Sequence, residues 1–139
     1  MADAAAPNAP PLPSPTPTSA PFWSAAAHDQ LAIQRCDGCG TWIYYPRSHC
    51  PTCLRPEPAW HTVSGAGTIY AFTVARQPTS TLFDDAAPPV IAIVELDEGP
   101  RLTTTVVGSG PEDVTVGARV MPVFEHVDDD HTLVRFRLA

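Results

Sequence analysis

The chain has 139 residues, 44% of them apolar, which suffices for one compact domain with an appendage and leaves no room for two independent enzymatic domains. Fifteen carboxylates against eight arginines, with no lysine, give a net charge of −7, a balance that counts against a nucleic-acid backbone as partner. No stretch is long and apolar enough to cross a bilayer as a helix, and the start lacks the basic-then-apolar pattern of a signal peptide, so no membrane partner and a cytoplasmic location are expected.

Residues 1 to 21 hold seven of the seventeen prolines among Ala, Ser and Thr, without apolar periodicity. They read as a disordered tail or linker, of the kind that joins a domain to a larger fused polypeptide. A short helix is predicted from Phe22 to Leu31, beginning where the prolines stop. Leu31, Ile33 and Arg35 alternate with Ala32 and Gln34 towards Cys36, and Thr41 to Tyr45 returns, which predicts a ribbon hairpin. Pro56 and Pro58 mark a boundary, so residues 22 to 59 form one unit and residues 60 to 139 the next.

All four cysteines fall within 18 positions, as Cys36-x-x-Cys39 and Cys50-x-x-Cys53. Two disulfides, a redox dithiol and a metal site are the available readings. A disulfide inside Cys-x-x-Cys closes a very tight loop, and a redox motif needs one pair between a strand and a helix. Two pairs of equal spacing instead predict two knuckles presenting four thiolates to zinc, with iron of the rubredoxin kind as the alternative. Gly40 supplies the positive φ expected after the second cysteine of a knuckle, whereas Leu54 stands at the equivalent place in the second. Four thiolates leave no open coordination position, so the metal is expected to be structural. Arg35, Arg47 and Arg55 surround this segment with only Asp37 to offset them.

The remaining chain is patterned for strands: Thr68 to Val74 alternates, Val90 to Val94 is continuously apolar as in a strand covered on both faces, and Leu102 to Val107 is rich in β-branched residues. Val120 to Glu125 and Thr132 to Leu138 follow, joined through an exposed turn at Asp128 to Asp130. Five short strands predict a small Greek-key barrel of the OB type, with Gly65 and Gly67 easing the first strand through its bend and Pro122 marking an edge or bulge. The fold class is therefore mainly β: a short helix, a zinc ribbon and a five-stranded barrel. Residues 84 to 130 carry eleven carboxylates, from Asp84 and Asp85 to Asp130, against Arg101 and Arg119.

Catalytic chemistry is hard to find. Gly65-Ala-Gly67 lacks the third glycine and the helix of a nucleotide loop, and Gly108-Ser-Gly110 lacks the context of a nucleophile elbow. The five histidines are scattered, and Glu95, Asp97 and Glu98 read as a solvated strand end. Tyr70 and Phe72 would be the aromatic platform of a single-strand-binding barrel, with Arg76 the one base near them. Three classes remain: such a binding protein, an enzyme with an unrecognised site, and an accessory subunit.

The ordered run Phe22-Trp23, Leu31, Cys36-x-x-Cys39-Gly40, Pro46-Arg47, Cys50-Pro51-x-Cys53, Trp60, Gly65-x-Gly67-Thr68, Val94-Glu95-Leu96-Asp97-Glu98-Gly99 and Gly117 resembles the family known as domain of unknown function thirty-five, over residues 22 to 138. The resemblance implies a rubredoxin-like zinc ribbon joined to an OB barrel. It also implies an accessory role beside a thiolase-superfamily enzyme acting on acyl-coenzyme A thioesters, without catalytic residues in this chain. Relatives in that family serve acetoacetyl-coenzyme A thiolases, acyltransferases and steroid side-chain aldolases. In the steroid case a linker joins a similar domain to a hydratase-like domain, which matches the proline-rich start here. On this view Arg35, Arg47 and Arg55 contact coenzyme A phosphates or the partner's surface.

Overall fold

The computed structural model describes residues 9–77 and 88–139. Asp84 and Asp85 lie outside them, as do residues 1–8 of the proline-rich start. Before the helix, Thr16 and Ser19 exchange backbone and hydroxyl hydrogen bonds of 2.9 to 3.4 Å. Helix α1, Ala20–Ala27, then begins with Pro21 in its first turn, where a missing N–H leaves no bond unmade. It ends earlier than predicted, because Asp29 takes a left-handed φ of 57° that turns the chain into the next strand.

Strand β1, Leu31–Arg35, is the centre of a three-stranded antiparallel sheet between β2, Trp42–Ile43, and β3, Ala59–Val63. Its neighbours explain why the expected alternation fails: Leu31 to Gln34 are all buried. Strand β3 was not anticipated in this sheet. Pro56 and Pro58 stand just before it and suggested a boundary, yet Trp60 to Val63 pair with Gln34 to Leu31 and belong to the ribbon sheet.

Strands β4 (Gly67–Val74), β5 (Val90–Leu96), β6 (Arg101–Val106), β7 (Arg119–His126) and β8 (Thr132–Leu138) close a barrel in the order β4-β5-β6-β8-β7. The parallel pairing of β6 with β8, the one such pairing among the described residues, is the signature of the OB arrangement. Gly67 is where backbone comes closest, since a Cβ there would lie 2.6 Å from the Glu95 carbonyl oxygen. Pro122 sits beyond Val120, the last β7 residue paired with β4, so its strand is bonded on one side only and the missing donor is tolerated.

Two side-chain expectations are corrected. Strand β5 is not covered on both faces: Val90, Ala92, Val94 and Leu96 point inward, while Ile91 is 39% exposed. A bulge between Ile69 and Ala71 also separates the two β4 aromatics. Phe72 packs against the core, while Tyr70 faces outward beneath the Arg101 guanidinium, 3.6 Å from its ring centroid. Tyr70 and Phe72 therefore share no stacking platform, and the base beside Tyr70 is Arg101.

One apolar core runs through ribbon sheet and barrel, joining Phe22, Leu31 and Ile33 to Ile69, Val94, Leu96, Val120 and Phe136. A second, small cluster holds only Cys36, Ile43 and Cys50. Among the described residues no helix is long and apolar enough to cross a membrane.

Candidate metal centre

The two Cys-x-x-Cys segments fold into matching turns. The Gly40 amide donates to the Cys36 carbonyl at 2.9 Å, and the Leu54 amide donates to the Cys50 carbonyl at 2.9 Å. Each knuckle is closed a second time, by Cys36 N–H to the Thr41 carbonyl and Cys50 N–H to the Arg55 carbonyl. Gly40 has φ 74° and Leu54 φ 64°, so the residue after each pair adopts the same left-handed conformation. The second knuckle keeps its geometry without its glycine.

These turns bring all four sulfurs within 4.8 Å of one another. Cys36 Sγ lies 3.5 Å from Cys53 Sγ, and Cys39 Sγ lies 3.6 Å from Cys50 Sγ. Disulfide sulfurs would be about 2.05 Å apart, so the four are free thiols. Zinc–sulfur bonds of about 2.3 Å place tetrahedral sulfurs about 3.8 Å from each other, and the observed spacing fits that figure. The residues present therefore suit a tetrahedral metal with no vacant position, in a structural role.

Hydrogen bonds prepare the sulfurs for a cation. The Thr41 hydroxyl, 3.1 Å from Cys39 Sγ, and the Thr41 amide hold the Cys39 thiol down at about 6. The Cys39 amide, with that of Gly38, lowers Cys36 in the same direction. Against the pull of the Arg55 amide, the sulfur of Cys36, desolvation and the sulfurs of Cys39 and Cys50 push Cys53 up to about 11. Four crowded thiols keep a proton that a divalent cation displaces on binding.

Gln34 is a residue that sequence patterning missed. Buried in β1, it donates from Nε2 to the Arg47 carbonyl at 2.9 Å and accepts from the Arg47 amide at 2.7 Å, which fixes the loop between the knuckles. A polar residue in an apparently alternating strand looks solvent-facing, so only the sheet reveals it.

The three ribbon arginines are exposed. Arg35 donates from Nε to the Gly40 carbonyl at 3.2 Å and stacks on Trp42, Arg55 lies over Gly38, and Arg47 is held through its backbone. None meets a carboxylate among the described residues, whereas Arg101, Arg119 and Arg135 of the barrel pair with Glu95, Asp97 and Glu125. Glu95 and Asp97 are thus ion-pair partners rather than a free acid/base couple. The metal cluster includes no histidine: His49 is held by the Ser48 hydroxyl, and His126 by Asp29 and Thr132.

The family description "ChsH2, rubredoxin-like zinc ribbon domain" matches residues 23–59, and "ChsH2, C-terminal OB-fold domain" matches residues 60–125. A DUF35 domain-containing scaffold protein of Methanocaldococcus jannaschii is 42% identical over 98 residues, covering 69% of this chain and 68% of the relative. A probable enoyl-CoA hydratase alpha subunit of Thermomonospora curvata is 40% identical over 121 residues, and a 3-oxo-4,17-pregnadiene-20-carboxyl-CoA hydratase alpha subunit of Mycobacterium tuberculosis is 34% identical over 119. The matches cover 85% and 84% of this chain but 37% and 36% of those subunits, so the chain spans little more than a third of their length. The solved structure of the Ltp2-ChsH2(DUF35) aldolase superimposes with a TM-score of 0.81 at 33% identity, covering 91% of this chain and 98% of that one. With its two knuckles, OB-ordered barrel and relatives of this kind, the chain belongs to the DUF35 family, in the ChsH2 form of zinc ribbon followed by OB-fold.

Proposed function

We propose that this chain is the non-catalytic accessory part of a thiolase-superfamily enzyme acting on acyl-coenzyme A thioesters, and that its partner is a retro-aldolase of steroid side-chain degradation. The observation that carries the reading is the likeness, at a TM-score of 0.81 and 33% identity, to the DUF35 chain of the Ltp2-ChsH2 aldolase. Relatives described as hydratase alpha subunits support an association with a hydratase-like domain or subunit as well. The units in this reading are the helix and ribbon, residues 22–59, and the OB-fold unit, residues 60–139, whose first strand β3 pairs with β1 of the ribbon.

In this reading Cys36, Cys39, Cys50 and Cys53 hold zinc in preference to iron, and the metal's contribution is to cross-link two turns that share almost no apolar core. The chain's own residues shape the surface. Arg35, Arg47 and Arg55 present a cationic face in an otherwise acidic molecule and meet the coenzyme A phosphates or acidic groups of the partner. Carbon–carbon bond chemistry belongs to the partner.

A pull-down with the tagged chain from its native host, read by mass spectrometry, tests this. A thiolase-superfamily protein is expected in stoichiometric yield, and in reduced yield when Arg35, Arg47 and Arg55 are all replaced by alanine. Recovery of nucleic acid, or of no partner, overturns the reading. A second reading, a subunit of an acetoacetyl-coenzyme A thiolase or acyltransferase complex, is also compatible with an archaeal relative described as a scaffold protein. The identity of the recovered partner decides between the two.

A further inference from the structure

Four thiolates around a divalent ion leave two net negative charges on the centre, inside a chain that is itself at −7. Hydrogen bonds from Thr41 and the knuckle amides spread that charge without cancelling it.

Two formal cations pack on the first knuckle. A Cβ built on Gly38 would lie 2.9 Å from Arg55 Nη1 and 3.7 Å from Cys36 Sγ. Both atoms thus surround one point, and the guanidinium is within about 7 Å of the sulfur, inside the Debye length at physiological salt. The bare Cα of Gly38 is what admits it. Across the same turn, Arg35 donates to the Gly40 carbonyl at 3.2 Å, its Nη2 lies 3.8 Å from where a Gly40 Cβ would be, and Trp42 holds its guanidinium at 4.9 Å. The barrel arginines Arg101, Arg119 and Arg135 each meet a carboxylate at 2.7 to 3.0 Å. With 15 carboxylates available for eight arginines, Arg35 and Arg55 meet none among the described residues.

We infer that Arg35 and Arg55, placed by Gly38, Gly40 and Trp42, are charge-compensating positioning residues of the metal centre: they coordinate nothing, but they offset the net charge of the four thiolates and slow release of the metal. This goes beyond the accessory reading and does not depend on which enzyme is the partner.

The test loads the full chain with zinc and follows its release into a colorimetric chelator, with no partner and no activity assay. Release from the R35Q/R55Q double variant is expected to be about tenfold faster than wild type at about 20 mM salt, with the difference shrinking below about threefold at 1 M. R55K, which keeps the charge, should stay close to wild type. G38A keeps both charges but displaces the Arg55 side chain, and should release zinc faster than wild type. Arg137→Gln, an exposed arginine in β8, serves as the control and should change nothing. Release from the double variant at the wild-type rate overturns the inference. So does an acceleration that is equal at both salt concentrations and shared by R55K, because that pattern belongs to packing rather than charge.

Discussion

Leu54 and Gly40 occupy equivalent places in the two knuckles, yet only one of them suits the backbone found there. A left-handed conformation costs a side-chain-bearing residue about 1–2 kcal/mol, and glycine escapes this at a smaller cost in unfolded-state entropy. Leu54 is 73% exposed, so its side chain recovers little by burial. Leu54→Gly should therefore raise the stability of the metal-loaded protein by about 0.5 kcal/mol, while Gly40→Ala lowers it by about 1 kcal/mol. Thermal denaturation of the two variants beside wild type reads both signs, and destabilisation by Leu54→Gly would mean that the leucine is held by a contact within the chain. At this scale the sequence was most legible where spacing fixes chemistry, as in the four cysteines. It was least legible at Gln34, whose partners are the backbone atoms of Arg47, thirteen residues away. No local pattern carries that information.

Among the elements, the barrel closes through a narrow seam. Strands β4 and β7 share two register pairs, Gly67 with Val120 and Thr68 with Arg119. The Arg119 guanidinium reinforces this closure, meeting Asp97 at 2.7 and 2.8 Å and the Thr68 hydroxyl at 3.2 Å. That fork, by hydrogen bond and charge, holds the Asp97 carboxyl below the usual carboxylate range. A carboxyl lowered on folding stabilises the fold fully above its unfolded value, about pH 4, and loses that contribution as pH falls through the lowered folded value. Asp97→Asn should therefore be less stable than wild type at pH 7, with the gap closing as the pH falls below about 4 and through the lowered folded value; denaturant titrations across that range check it. A gap that persists in acid would assign the effect to hydrogen-bond geometry instead of charge. The five barrel strands were readable because β-branched runs and turn residues alternate along the chain. Strand β3 was not, since prolines before a strand look the same as prolines between domains, and only its partner β1 tells them apart. The exposed face of β5 escaped for a related reason: a continuous apolar run does not say which side is covered.

For the molecule as a whole, the decisive feature is where the core ends. The ribbon offers Ile33, Trp42, Ile43, Tyr44 and Tyr45 as candidates for a small core of its own. In the structure Ile33, Trp42 and Tyr44 pack with the large core shared with the barrel, and only Ile43 remains beside Cys36 and Cys50. The knuckle end thus has one buried apolar residue besides its ligands, against roughly 10–16 kcal/mol that thiolate-bound zinc supplies to a small module. Sheet strands β1 and β3, by contrast, are five residues paired over their full length and anchored by Leu31 and Ile33 in the common core. Metal removal by a chelator, or Cys36→Ser, should therefore melt the two knuckles, residues 36–41 and 48–57, and spare the three-stranded sheet β2-β1-β3. Hydrogen exchange would show the amides of the knuckles losing protection, while those of Leu31 to Gln34 and of the barrel keep theirs. A partner that docks on the knuckle end would be lost with the metal although the barrel remains folded, and its loss would track the exchange of the knuckle amides during chelation. Exchange spreading through β1 into the barrel would instead mean that ribbon and barrel unfold as one cooperative unit, with the metal holding both.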